Sequence, residues 1–284
     1  MIPALDPGCP RVIEARYDPV AMETVRSKDG TTIAFDRVGR GPLVIVVGGA
    51  LSDRSAGAPL AGLLSEGFTV ITFDRRGRGD SGDAATYAVE REVEDLGTLI
   101  VKAGGAASVF GHSSGAVLAL EGAVRGLPIT KLALYEPPFI VDDSRPLLPE
   151  DYVPRLTELI SSGRRGDAVE LFMTAAVGVP AEMVAEMRGS PMWPAMEAMA
   201  HTLPYDGAVM GDTMEGNPAS MKRWASLTVP TLAMDGGASP EWARNAVRAL
   251  VEVLPDAQHL TLEGQTHAAD PEVVAPALER FFAV

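Results

Sequence analysis

The sequence predicts an α/β protein with a mostly parallel central sheet flanked by helices, and three observations carry that prediction. Strand-like apolar runs alternate with helical stretches from Leu43 to Tyr135 and again from Thr231 to Phe282, the order expected of parallel strands joined by covering helices. Between about Phe139 and Trp224 the strands stop and only helical periodicity remains. Third, the pentapeptide Gly111-His112-Ser113-Ser114-Gly115 lies between a short apolar run and an Ala/Leu-rich segment, so that strand, sharp turn and helix follow one another directly.

The elements follow in order. Residues 1–20, with Pro3, Pro7, Pro10 and the single cysteine Cys9, read as an N-terminal arm. Thr24 to Ser27, a Lys28-Asp29-Gly30 turn and Thr32 to Asp36 read as an antiparallel hairpin at one sheet edge. Leu43 to Val47 is uninterrupted apolar sequence, nearly all of it β-branched, as a strand buried on both faces requires. Then come a helix near 56–66, strand Thr69 to Phe73, a helix near 89–102, strand 107–110, a helix over 116–123 and strand Lys131 to Tyr135. The alternation resumes with strand Thr231 to Met234, a helix from Pro240 to about Val253, strand His259 to Leu262 and a last helix from Pro271 to Phe282.

The strandless interval shows apolar positions at helical spacing, such as Val153, Leu156, Leu159 and Ile160, broken by Gly163, Gly178, Pro180 and Pro204. The expected organisation is therefore a core of 21–138 and 225–284 with a helical lid over 139–224. Most of the methionines fall between Met173 and Met221, with Trp193, His201 and Tyr205 among them. Helix packing accounts for most of these side chains, while a deformable Met-rich surface also suits an irregular apolar ligand.

Composition removes several classes of function. Lys and Arg total 24 against 38 Asp and Glu, a formal charge of -14, so the chain lacks the positive face that nucleic acid or an anionic membrane would need. One cysteine permits no intramolecular disulfide. The longest apolar segment, Leu43 to Leu51, is about half a membrane span, and the arm has neither the basic start nor the apolar stretch of a signal peptide. A cytoplasmic protein is the expectation.

A serine at the centre of a strand-turn-helix Gly-x-Ser-x-Gly is presented above the end of the sheet, where a base can take its proton, and the glycines let neighbouring backbone approach. Ser113 is the expected nucleophile. Together with the loop after Leu43 to Val47, the stretch Phe73-Asp74-Arg75-Arg76-Gly77-Arg78-Gly79-Asp80-Ser81, the inserted helices and a late histidine, this elbow makes the chain from Glu23 to Val284 resemble the α/β-hydrolase family. The resemblance implies an α/β-hydrolase fold with a helical lid.

The resemblance also implies a triad. His267, directly after the last strand, stands where the family carries its base; His112, His201 and His259 stand elsewhere. After strand Thr231 to Met234 the family usually has Gly-x-x-Asp-Pro, but here the run is Gly236-Gly237-Ala238-Ser239-Pro240. Ser239 reads as a helix N-cap with Pro240 at the first helical position, so the acid must lie elsewhere. Glu136 is preferred, because it ends a strand and Pro137-Pro138 stops further regular structure, a position from which some family members take their acid. Asp235, at the end of the next strand, is the alternative.

By the same resemblance the oxyanion donors are the amides of Ser114 and Ala50, with Gly48 in place of the usual loop histidine. Leu51, His112, Trp193, Met196 and His201 are candidate substrate contacts. The implied reaction is hydrolysis of a largely apolar ester or lactone through an acyl-serine, without metal or organic cofactor. Carbon–carbon bond hydrolysis, acyl transfer, a non-hydrolytic step or simple ligand binding on the same fold are the alternatives.

Overall fold

The computed structural model describes residues 22–283; the arm assigned to residues 1–20, with Cys9, lies outside them. Eight strands form one sheet: β1 (Glu23–Arg26), β2 (Thr32–Gly39), β3 (Leu43–Val47), β4 (Thr69–Phe73), β5 (Ala107–His112), β6 (Ile129–Tyr135), β7 (Thr231–Gly236) and β8 (Ala257–Leu262). Their order across the sheet is β1-β2-β4-β3-β5-β6-β7-β8. The hairpin β1–β2 is antiparallel and joins β4 antiparallel, and every pairing from β4 onward is parallel. This is the α/β architecture that the alternation predicts, with the hairpin at the edge.

Ten α-helices accompany the strands among the described residues: α1 (Ala58–Leu64), α2 (Val89–Ala103), α3 (Ser114–Val124), α4 (Tyr152–Ser161), α5 (Arg165–Leu171), α6 (Ala181–Met187), α7 (Trp193–Met199), α8 (Leu203–Met210), α9 (Glu241–Val253) and α10 (Pro271–Ala283). Strand periodicity divides the core in two. Val44, Val46, Val70 and Phe110 face α1 and α10, while Ile45, Val47, Ile71 and Val109 face α2, α3 and α9. Because both faces are covered, β3 is apolar at every position, as its sequence requires.

All helices from α4 to α8 lie in the insertion between β6 and β7. Arg165 to Leu171 continues directly into a π-helical turn, Phe172–Val177, closed by Gly178 at φ 84°. Tyr152, Leu156, Ala168, Val169, Val184, Trp193, Ala200 and Leu203 form a separate small core there. Val209 and Met210 of α8, with Met221 and Trp224, instead join the main core beside α3. The last part of the insertion is thus packed as part of the sheet's own covering layer. No helix among the described residues is long and apolar enough to cross a membrane.

Candidate active site

The elbow is built by exclusion of side chains. Ser113 sits between β5 and α3 at φ 57° and ψ -127°, a left-handed backbone that costs a non-glycine residue about 1–3 kcal/mol. A Cβ on Gly111 would come within 2.6 Å of the Ala116 backbone, and one on Gly115 within 2.3 Å of the Val47 carbonyl; only glycine closes the turn. The Ser113 N–H donates to the Tyr135 carbonyl at 2.9 Å and the Ala116 N–H to the Ser113 carbonyl at 2.9 Å. Ser114 opens α3, so its N–H lies in the first turn, where amides have no partner within the helix and the helix dipole favours negative charge.

Glu136 follows the end of β6 at φ 44°, and the third non-glycine residue with positive φ is Leu51, at 51° in the loop after β3. Among the described residues Leu51, Ser113 and Glu136 are the full set of non-glycine residues with positive φ, and all lie at the C-terminal rim of the parallel strands. Strained backbone of this kind persists where surrounding contacts enforce it, and gathers at functional sites.

The Glu136 carboxylate is 1% exposed. Its Oε1 accepts the Gly236 N–H at 2.8 Å and its Oε2 lies 2.8 Å from His267 Nδ1. Burial alone would raise its pKa, but the hydrogen bond to His267, the neighbouring Ser239 hydroxyl and the Gly236 N–H together hold it below the ordinary glutamate value. An ionised carboxylate at that distance places the imidazole proton on Nδ1 and leaves Nε2 as a lone-pair acceptor. His267 faces a cavity of about 380 Å³ that Ser113, His112 and the loop Gly48-Gly49-Ala50 also line.

Asp235 is placed differently. It is fully buried and its Oδ2 pairs with His259 Nε2 at 2.7 Å across β7 and β8, so Glu136 is the carboxylate at His267. Ser239 does not cap α9, which starts at Glu241 after Pro240. It is buried instead, at the place where the commoner family pattern has its aspartate, and there it adds to the environment of Glu136.

His112 donates from Nε2 to the His267 carbonyl at 2.9 Å, with the two rings 4.7 Å apart. Burial, followed by repulsion from His267, pushes its pKa down to about 4, so it is neutral and anchors the loop that carries His267. Of the other expected substrate contacts, Leu51, Trp193, Met196 and His201 are not among the residues lining the cavity. Trp193 is buried in the small core of the insertion, its Nε1 donating to Glu197 at 2.8 Å, and Leu51 and Met196 pack against that core. His201 Nδ1 donates to the Ala198 carbonyl at 3.1 Å. Trp193 is buried and Leu51 and Met196 are half-buried against the small core of the insertion, and none of the three faces the cavity. Phe172 and Val177 of the π-helical turn line the cavity in their place.

A buried ionic cluster beneath the site has no counterpart in the sequence reading. Arg75 is bidentate to Glu92, at 2.6 and 2.7 Å, and reaches Asp206 of α8 at 2.8 Å; Arg78 reaches the other Asp206 oxygen at 2.7 Å. Ser114 Oγ donates to Asp206 at 2.7 Å. Burial alone would raise the Asp206 pKa, but Arg78 and Arg75 hold it below the usual range. Three arginines within four residues, in a chain rich in acids, were the available signal.

Comparison with known proteins agrees with this architecture. A solved structure of an alpha/beta hydrolase from Sphaerobacter thermophilus DSM 20745 is 59% identical, covering 92% of this chain and 100% of that one with a TM-score of 0.86. The uncharacterized hydrolase YraK of Bacillus subtilis (strain 168) is 36% identical over 100 residues, a match spanning 34% of this chain and 37% of that protein. The 2-(acetamidomethylene)succinate hydrolase of Mesorhizobium japonicum (strain LMG 29417 / CECT 9101 / MAFF 303099) is 24% identical over 264 residues, 88% of this chain and 91% of that one. A sequence profile of the alpha/beta hydrolase family matches residues 43–277, and on that match, over most of its length, the chain belongs to the alpha/beta hydrolase family.

Proposed function

We propose that this hydrolase cleaves an uncharged, largely apolar carboxylic ester or lactone through an acyl-serine intermediate. The observation that carries the reading is the contact of the buried Glu136 Oε2 with His267 Nδ1, at 2.8 Å, on an imidazole that lines the same cavity as Ser113 at its strained elbow. With Nδ1 protonated, His267 takes the Ser113 proton at Nε2 while Oγ attacks the carbonyl, and Glu136 stabilises the imidazolium that results. The tetrahedral oxyanion is received by the amides of Ala50 and Ser114. His267 then returns the proton to the leaving oxygen, and water activated by the same nitrogen releases the acid.

The chemistry of the cavity supports a neutral substrate. Its walls are mainly apolar, with Val46, Leu60, Phe110 and Val274 on the side toward α1 and α10. Arg54 reaches it, but that guanidinium is engaged by Asp36, Asp74 and Asp80 together. His112 is neutral. A carboxylate-bearing substrate, such as the succinate derivative in the name of the Mesorhizobium relative, would find no uncompensated cation among the lining residues. The helices of the insertion act as a lid over this cavity, touching the substrate through Phe172 and Val177.

Steady-state turnover of neutral p-nitrophenyl esters and fluorophosphonate labelling test the reading. Ser113→Ala should abolish both, with a loss in kcat on the order of 10⁶-fold. Full activity in that variant would end the serine mechanism, and preference for a dicarboxylate over neutral esters would end the neutral-substrate part.

A further inference from the structure

We infer that Arg78 and Ser52 are positioning residues that aim the Ala50 amide at the oxyanion, and that Asp206 makes this aim depend on the seating of α8. The inference rests on the acyl-serine reading and specifies how its oxyanion hole is assembled. The carbonyl of Gly49 and the N–H of Ala50 belong to one planar trans peptide, in which they point in opposite directions. Whatever holds the Gly49 oxygen therefore sets the direction of the Ala50 hydrogen.

Two donors hold that oxygen. Arg78 Nη1 donates to it, and Ser52 Oγ donates to it at 2.7 Å. With the oxygen drawn toward Arg78 and Ser52, the Ala50 N–H is turned to the opposite side of the peptide, in a loop where Gly49 and Ala50 line the cavity together with Ser113. Gly49 is pressed so close that a Cβ there would stand 2.9 Å from Ser113 Cβ and 3.5 Å from its Oγ. The Ala50 N–H meets no protein acceptor among the described residues, which leaves it free for a developing oxyanion.

Arg78 has no freedom to release the carbonyl while α8 stays in place. It is 1% exposed, its Nη2 is paired with Asp206 at 2.7 Å and its Nε donates to Thr202 at 3.2 Å. Both partners belong to the insertion. Arg75 carries the same connection to the second donor: its Nη1 reaches Asp206, the Gly48 carbonyl at 3.4 Å and Ser114 Oγ at 3.3 Å. One carboxylate on α8 thus holds the two guanidinia that touch the loop and the elbow. Burying such a cluster is a poor way to gain stability, because apolar packing of the same volume does as well. A fixed planar fork is, however, well suited to orienting a peptide dipole.

The experiment compares Ser52→Ala, Arg78→Lys, Arg78→Met and Asp206→Asn with the parent on a neutral ester, together with affinity for a trifluoromethyl ketone and for a non-reactive ether of the same shape. Misdirecting one oxyanion donor should lower kcat by about 100-fold in Arg78→Met and less in Ser52→Ala, with KM nearly unchanged. Affinity for the ketone, which forms the tetrahedral adduct, should fall in step with kcat, while the ether binds as before. Arg78→Lys should recover part of the loss, and Asp206→Asn should show the same split. A purely structural role would lower the melting temperature without separating ketone from ether. If Arg78→Met does not fold, Ser52→Ala decides, because it deletes only one hydroxyl. Parental kcat and ketone affinity in the folded variants would overturn the inference while leaving the serine mechanism standing, whereas activity in Ser113→Ala would overturn that mechanism itself.

Discussion

The rim of the sheet and the helical insertion above it are held together by different means. At the rim, position is enforced by backbone: Leu51, Ser113 and Glu136 sit in left-handed conformations, Gly111 and Gly115 leave no room for a Cβ, and Glu136 is gripped by the Gly236 amide. In the insertion, position comes from short helices around a small apolar core, with polar contacts as local as Trp193 to Glu197 one helical turn away. Strained, glycine-dependent backbone permits one arrangement only. Packed short helices tolerate exchange of side chains of similar volume. On the proposed reading the chemistry is therefore on the inflexible part and its cover on the adaptable part, with Asp206 in contact with both.

This contrast can be broken from the rim first. Glu136→Gln keeps the shape but weakens the hold on the His267 tautomer and loses the charge that stabilises the imidazolium, so kcat should fall by about 10⁴-fold with the fold retained. Asp235→Asn should cost stability through its pair with His259 and leave kcat within a few-fold. Rates measured on both variants, with circular dichroism to establish folding, check the ranking; the reverse order would move the acid to Asp235.

On the insertion side the expected effect is on stability instead of rate. Trp193 is 4% exposed, and Trp193→Ala should destabilise the insertion by about 3–5 kcal/mol. The ratio of kcat/KM for a short ester to that for a bulky one should stay at its parental value, because the side chain is outside the cavity. A changed ratio would show that Trp193 reaches the substrate and would soften the division drawn between the two regions.

A smaller effect is expected with pH. His112 is held near 4 in the fold, against about 6.5 in the unfolded chain. Between these values the unfolded state binds the additional proton, so stability is fully present above about pH 6.5 and declines toward pH 4, by at most about 3 kcal/mol. Glu136, whose pKa is depressed in the fold, adds a loss only as pH falls below the ordinary glutamate value. Chemical denaturation across this range should show the slope, and His112→Gln should flatten its upper part. An unchanged slope would mean that His112 is not the neutral group responsible.

Ser113 and the sheet around it were legible in the sequence because their signals are local. A buried parallel strand must be apolar at consecutive positions, and an elbow must have glycines on either side of its serine; Leu43 to Val47 and Gly111 to Gly115 state both within five residues. Glu136 was legible for a related reason, since the two prolines after it end the strand at the rim.

What tertiary structure alone decided is which partner each buried group meets. The sequence marked Trp193 and Met196 only as members of a helical, Met-rich interval, which carries no information about what they pack against, and the insertion has enough apolar residues to form a core of its own. Whether Glu136 or Asp235 meets His267 depended on the ends of neighbouring parallel strands and on the loop after β8. The Arg75 and Arg78 contacts with Asp206 join positions 131 and 128 residues apart. No local pattern encodes such a pair, because the cost of burying each charge is offset only by a partner that folding brings to it.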